Sequence, residues 1–169
     1  IIRSWVLKIE SSISNSEETI IKEFMEEHAS INSIVITDTS GLSTVEWTSG
    51  SGVIIYNKIT DRALLYKNSQ TIDLLLRNFN SGFQRIAPIE SDSAELQNLM
   101  ILLQNRQICI IGLRKEKFVD EILAAKIRLI AQSNISASVF DSNTNRVVFS
   151  TNGNNAALPE ESNFLWIIP

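Results

Sequence analysis

Few residues in this chain have the side chains that catalysis or metal binding requires. The chain contains one histidine, His28, and one cysteine, Cys109. Cys109 lies in an apolar run, where a cysteine usually packs as a small hydrophobic residue. Without a second histidine or a cysteine cluster, His28 is not expected to bind a metal. A G-x-S-x-G motif is also absent. We therefore predict no catalytic residues, no metal site, no cofactor and no enzymatic activity.

Aromatic and arginine side chains are the remaining candidates for ligand binding. Trp47 and Tyr56 could line an apolar pocket, and Arg85 could bind an anion. These three residues make up the predicted ligand-binding site. Tyr66 and Arg62 offer the same chemistry. For each of them, packing in the core or exposure to solvent is the simpler alternative.

Composition and charge limit the class of protein. The chain has 169 residues, of which 44% are hydrophobic and 20% charged, as in an ordinary globular protein. We predict one domain over residues 1–169, with helices in 1–30 and the sheet and further helices in 31–169. The net charge is −4 and the lysines and arginines are scattered, so we expect no nucleic-acid partner.

The apolar residues recur with two different periods along the chain. Spacings of three and four predict amphipathic helices at 2–13, 17–27, 61–79 (with a break near Asn68), 91–103 and 115–133. A capping box of Ser14 and Glu17 would begin the second helix. Runs rich in β-branched residues predict strands at 34–36, 42–48, 53–56, 83–89, 106–113, 136–143, 146–151 and 164–168. Pro88 confines the fourth of these strands to a sheet edge.

The stretch 106–151 reads as a strand, a helix and a hairpin that form a sheet with the helix packed on it. The whole pattern predicts an α/β (α+β) fold, with a central antiparallel sheet of about five strands and amphipathic helices packed on it. The predicted core comprises Phe24, Ile34, Ile36, Ile108, Ile110, Ile122, Val139 and Phe140.

Two predicted hairpins contain an aspartate at the turn. Asp38 begins the turn 38–41, in which Gly41 suits a positive φ angle, and Asp141 begins the second turn. The two carboxylates could form a pair only if the hairpins were adjacent. Turn formation is the expected role of each.

The two hairpin segments, 33–48 and 107–151, resemble the extracytoplasmic PAS-like (PDC or Cache) sensor domains of bacterial histidine kinases and chemoreceptors. The resemblance implies a central antiparallel sheet with helices on one side, and a small-molecule ligand or none. It also implies a ligand- or stimulus-sensing input domain of a membrane-anchored signal-transduction protein, such as the sensor histidine kinase of a two-component system. Both ends of the chain are apolar, which suggests a piece of a longer protein with membrane spans on either side.

Other assignments remain open. The first fifty residues also resemble roadblock and longin dimerisation platforms for small GTPases, and residues 118–132 resemble the closing helix of a GAF domain. Either alternative would place the protein in the cytoplasm. The apolar stripe Ile2, Trp5, Ile9 and Ile13 predicts a homodimer through the first helix or, equally, packing on the chain's own sheet.

Overall fold

The computed structural model describes residues 2–14, 18–50, 52–59, 62–131, 138–141 and 146–151. The chain forms two compact units, Ile1–Arg114 and Lys115–Pro169. The single domain over residues 1–169 stays a prediction.

The first unit contains a six-stranded sheet in which every neighbouring pair is antiparallel. Its strands are β1 (Ile31–Thr37), β2 (Thr44–Gly50), β3 (Val53–Ile59), β4 (Ile86–Ile89), β5 (Leu96–Leu102) and β6 (Ile108–Arg114). Their order across the sheet is β3-β2-β1-β6-β5-β4. This confirms the predicted fold class, with six strands where about five were expected.

Strands β1 and β6 form the centre of the sheet. All residues of β6 from Ile108 to Leu113 are buried, as the unbroken apolar run predicts for a strand covered on both faces. Within its described residues, the first unit also contains four helices: α1 (Ile2–Ser14), α2 (Glu18–Glu27), α3 (Arg62–Lys67) and α4 (Ser69–Asn80).

Helices cover both faces of this sheet, rather than the one side that the resemblance implies. On one face, Leu65 of α3 and Leu75 of α4 pack in a buried cluster that includes Val35, Met100 and Ile110. Side chains alternate along a strand, so their neighbours Ile34, Ile36, Cys109 and Ile111 point to the other face, where they are also fully buried. Both faces of the central strands are apolar, so each needs a helical layer.

Helices α1 and α2 form the second layer. The two helices contact each other, and α2 contacts β2 and β3. The Trp5 ring meets Phe24 edge-on at 5.9 Å between centroids, and His28 lies 5.0 Å from Trp5. Trp5 and Ile9 are buried within the single chain. The apolar stripe of α1 therefore packs on the chain's own core.

The predicted helix over 91–103 is wrong, because this segment forms strand β5. The run from Leu99 to Leu103 is continuously apolar, and such a short run fits a buried strand as well as a buried helix. The predicted edge strand is confirmed. Strand β4 lies at the end of the sheet and contains Pro88, whose missing N–H is tolerated at an edge.

The second unit contains a helical segment and a hairpin. The segment consists of α5 (Lys115–Phe118), a π-helical stretch (Val119–Ala124) and α6 (Ala125–Ala131), and the hairpin consists of β7 (Ser138–Asp141) and β8 (Arg146–Ser150). Among the described residues, β7 and β8 form a separate two-stranded sheet. The prediction that this hairpin shares a sheet with β6 is therefore wrong. Val119, Ala124 and Phe149 are buried together in this unit.

Five of the eight predicted core residues, Phe24, Ile34, Ile36, Ile108 and Ile110, are buried. Ile122 and Val139 are half-buried, and Val139 packs against the Phe149 cluster. The side chain of Phe140, the Ser14–Glu17 capping box, the turn after Asp141 and the strand predicted at 164–168 lie outside the described residues.

Candidate functional site

The turn between β1 and β2 is a well-bonded loop organised by Asp38. Its Oδ1 accepts hydrogen bonds from the Ser40 amide at 3.0 Å, the Ser40 hydroxyl at 2.8 Å and the Leu42 amide at 3.1 Å. Gly41 has a φ angle of 71°, which a glycine adopts without strain. The Ser40 hydroxyl lowers the pKa of the Asp38 carboxyl most, and the Leu42 and Ser40 amides lower it further. The predicted turn role of Asp38 is confirmed.

Two hydroxyl groups fix the base of this turn. Thr37 ends β1 and Thr44 begins β2, and their Oγ1 atoms lie 2.8 Å apart in a buried hydrogen bond. The Cα atoms of these residues are partners in the sheet. A buried, paired hydroxyl bridge holds the two strands in register where they leave the sheet.

An open cleft of about 510 Å³ lies where this turn meets α3 and α4. The residues that line it are Thr39 and Ser40 from the turn, Arg62, Leu65 and Tyr66 from α3, and Ser69, Ile72 and Asp73 from α4. The β1–β2 turn, helix α3 and the first turn of α4 thus converge at this cleft.

The cleft combines an apolar base with a polar rim. Leu65 is buried in the core beneath α3, and Ile72 packs partly against the same core. Arg62 and Asp73 are exposed and add one charge of each sign, and Tyr66 is 86% exposed. A guanidinium is suited to a carboxylate or phosphate group. The lining can therefore hold a small polar molecule with an anionic group.

The three residues of the predicted ligand-binding site do not come together. Trp47 and Tyr56 are partners across β2 and β3, with ring centroids 5.3 Å apart. Trp47 is 5% exposed and is therefore part of the hydrophobic core, and Tyr56 is half-buried.

Arg85 is exposed and precedes β4, at the sheet edge opposite β3. Five strand spacings separate these edges, roughly 24 Å along the sheet. A shared site for all three residues is not formed, and a ligand role for any one of them stays a prediction.

Sequence reasoning named two cleft residues, Arg62 and Tyr66, and missed Ser69 and Asp73. Single hydroxyl and carboxylate residues on a helix carry no pattern that separates them from a solvated surface. Only the packing of α3 and α4 against the β1–β2 turn brings them to one cleft.

The two residues singled out for possible reactivity have structural surroundings. Cys109 is fully buried, and burial raises the pKa of its thiol to about 12, with the charge of Glu10 adding to the effect. His28 packs against the Phe24 ring at 4.9 Å between centroids. Within the described residues, no group of three or more His, Cys, Asp or Glu side chains could hold a metal ion.

None of the helices in the described parts of the chain is long and apolar enough to cross a membrane.

Comparisons with known proteins supply little. No protein-family model and no curated protein matches the chain. The chain is similar to the solved structure of the Bacillus subtilis YkuI protein, which has an EAL domain and was crystallised with its substrate c-di-GMP and calcium. The identity is 13%, the TM-score is 0.44, and the match covers 70% of this chain and 32% of the YkuI protein. The match thus spans about a third of that protein, and a likeness this distant carries no argument about function.

Proposed function

We propose that this chain is a sensory input domain that binds a small polar molecule in the cleft between the Asp38 turn and helices α3 and α4. The observation that carries the proposal is this cleft, with the Arg62 guanidinium at its rim and an apolar base of Leu65 and Ile72. The central antiparallel sheet agrees with the PAS-like resemblance, whereas the helices on both faces and the separate β7–β8 hairpin depart from it.

The position of the cleft suits a switch. Its walls come from a turn between two strands and from two short helices joined at Asn68. A ligand that bridges Arg62 and the turn would favour one arrangement of these elements over another. A ligand shifts a conformational equilibrium only by its difference in affinity for the two states. A ligand that contacts both walls at once would have such a difference in affinity between two arrangements of the walls.

The test is a thermal-shift screen of small carboxylates, amino acids and phosphates against wild type and the variant Arg62→Gln. A ligand at about 100 times its Kd stabilises the folded state by about 2.7 kcal/mol, or roughly 5–10 °C in Tm. We expect one class of anion to raise the Tm of wild type and to lose that effect in Arg62→Gln.

Arg85→Gln is the matched control, because Arg85 is an exposed arginine at the far edge of the sheet. It should keep the full shift. Loss of the Tm shift in Arg85→Gln but not in Arg62→Gln would contradict ligand binding in the cleft. No shift with any class of small molecule would contradict the ligand-binding role itself.

Attachment to a membrane and output through a histidine kinase rest on the resemblance alone. If the domain is an extracytoplasmic sensor, apolar spans flank it in the parent protein. Reading the sequence upstream of Ile1 and downstream of Pro169 decides the point. Soluble flanking sequence would favour a cytoplasmic protein instead.

A dimerisation platform for a small GTPase is the second candidate, and one observation favours it. The hairpin after residue 131 forms its own two-stranded sheet instead of extending the main one. Along the chain, β6 is therefore the last strand of the six-stranded sheet, just before the last helical segment. The roadblock and longin folds that the first fifty residues resemble normally end at such a helix, whereas here a hairpin follows it. Binding to GTP-loaded small GTPases, with no small-molecule thermal shift, would support this candidate over the sensor. No observation distinguishes a GAF-like regulatory domain.

A further inference from the structure

The two edges of the six-stranded sheet differ in their protection against pairing with another strand. Strand β4 is four residues long and contains Pro88. Short edge strands and prolines are standard means of blocking edge-to-edge association. Strand β3, at the other edge, is seven residues long with the sequence VIIYNKI, and it contains no proline.

Strand β3 also exposes apolar side chains. Val53 is 59% and Ile55 is 52% exposed, and both lie on the face opposite Trp47. Ile59, two pleats further along, shares this face and is half-buried. Asn57 and Lys58 are exposed on the same strand, and Lys58 is its one charge that opposes pairing. A long edge strand that exposes Val53 and Ile55 is nevertheless a site for strand pairing.

We propose that β3 is a homodimer interface, at which β3 of a second copy pairs with it antiparallel to form one continuous twelve-stranded sheet. The register that uses all seven residues places Val53 opposite Ile59 of the other copy, and Ile54 opposite Lys58. A two-fold axis perpendicular to the sheet keeps matching faces together. On the face of Val53, Ile55 and Ile59, each Val53 then meets Ile59 of the other copy, and each Ile55 lies opposite Asn57.

The charges on β3 do not repel a second copy as the occupant, and its apolar ends favour one, since Val53 and Ile59 meet in the antiparallel self-pair. The chain has a net charge of −4, yet β3 has no acidic residue and a single basic one, Lys58. In the proposed register the two Lys58 side chains are offset by four residues, about 13 Å along the strands. This exceeds the screening length of about 8 Å at physiological ionic strength. The two strands can therefore pair without repulsion between their lysines.

The proposed contact between the two β3 strands is small. A seven-residue strand pair is smaller than a standard interface of about 1,600 Å². We therefore expect a dimer that dissociates on dilution. Assembly stops at two copies, because the short β4 edge with Pro88 is protected against pairing with a further strand. The stripe residues Trp5 and Ile9 of α1 are buried within the single chain, so they do not supply the apolar contact. The proposal does not depend on a ligand in the cleft.

The first test is sedimentation equilibrium of the full chain over a broad range of protein concentration. Wild type should approach twice 18.9 kDa as concentration rises. Ile55→Lys should stay at the mass of one chain, with the circular dichroism and Tm that wild type has at a concentration where it is monomeric. Phe83→Lys, which removes an even more exposed apolar side chain from a loop, should still dimerise. A dimer that survives Ile55→Lys, or a mass above two copies, overturns the proposal.

The second test fixes the register by cross-linking the double variant Val53→Cys/Ile59→Cys under mild oxidation. Within one strand these positions are about 20 Å apart, so a disulfide, which needs Cα atoms about 4.4–6.8 Å apart, can form only between copies. Cys109 is buried and does not compete. We expect a covalent dimer from this variant and none from Phe83→Cys. Equal yields from both variants, or a wild type that is monomeric at every concentration, contradict the interface.

Discussion

Gly112 occupies a position in the central strand β6 that has no room for a side chain. A Cβ atom there would lie 2.5 Å from the Ser33 Oγ and 3.2 Å from the Asn98 Oδ1. Ser33 and Asn98 are the partners of Gly112 on the two neighbouring strands. The glycine therefore allows two polar side chains to approach each other across the sheet.

We predict that Gly112→Ala destabilises the fold by about 1–3 kcal/mol, the usual cost of overpacking. The nearest clash is with a hydroxyl, because the Ser33 Cβ lies at an acceptable 3.7 Å. Adding Ser33→Ala should therefore recover most of the loss. Urea unfolding of the single and double variants measures the coupling between the two sites.

Gly50→Ala is the control for this prediction, because nothing lies within 4 Å of the added Cβ. Its effect should stay within about 0.5 kcal/mol. A Gly112→Ala variant as stable as Gly50→Ala would contradict the prediction, because it would show that β6 shifts enough to accommodate the methyl group. A loss that Ser33→Ala leaves unchanged would assign the cost to the backbone.

Single residues also show what the sequence could foretell of the site. The turn role of Asp38 follows from its own chemistry, because an aspartate binds backbone amides two residues on. The buried state of Cys109 follows from its apolar neighbours. Asp73 has no such local signal, since its place in the cleft depends on how α4 packs.

Helix α1 separates its buried and exposed residues sharply. Ile9 is fully buried, whereas Leu7 is 59% exposed on the same helix. We predict that Ile9→Ala costs about 2–5 kcal/mol, as for a large residue removed from a core. Leu7→Ala should change stability by no more than about 0.5 kcal/mol. Chemical denaturation with circular dichroism as the probe measures both.

The comparison also tests the layer that α1 and α2 form over the sheet. If Ile9→Ala were as stable as Leu7→Ala, α1 would not belong to the core. If Ile9→Ala instead lowered the mass in solution with no loss of stability, the α1 stripe would be a subunit contact.

At the scale of elements, amphipathic helices were easier to predict than buried strands. The stripes of α1, α2 and α4 have one polar face, so their period is visible in the sequence. Strand β5 is apolar on both faces over its second half and has no period of its own. Its pairing with β4 and β6 is a long-range property that local patterns do not contain.

At the scale of the whole molecule, the order of the strands in the sheet predicts which part of the chain can fold on its own. The sheet of the first unit joins two local meanders, β1–β2–β3 and β4–β5–β6, through the pairing of β1 with β6. Sequence could indicate the hairpins but not this join, nor that β7 and β8 form a separate sheet. Arg114, the last residue of β6, strengthens the join. Its guanidinium donates hydrogen bonds to the Ala29 carbonyl at 2.8 Å and the Ser49 carbonyl at 3.1 Å.

We therefore predict that a fragment of residues 1–114 folds alone, because all six strands and both helical layers lie within it. A fragment of residues 1–106 is the control. It lacks only β6, but that strand lies between β1 and β5, so its loss divides the sheet into two separate pieces. Fragment 1–114 should unfold cooperatively in urea and show sharp amide protection in β1 and β6. Fragment 1–106 should lack a cooperative transition. If both fragments behaved alike, folded or unfolded, the pairing of β1 with β6 would not be what joins the two halves of the unit.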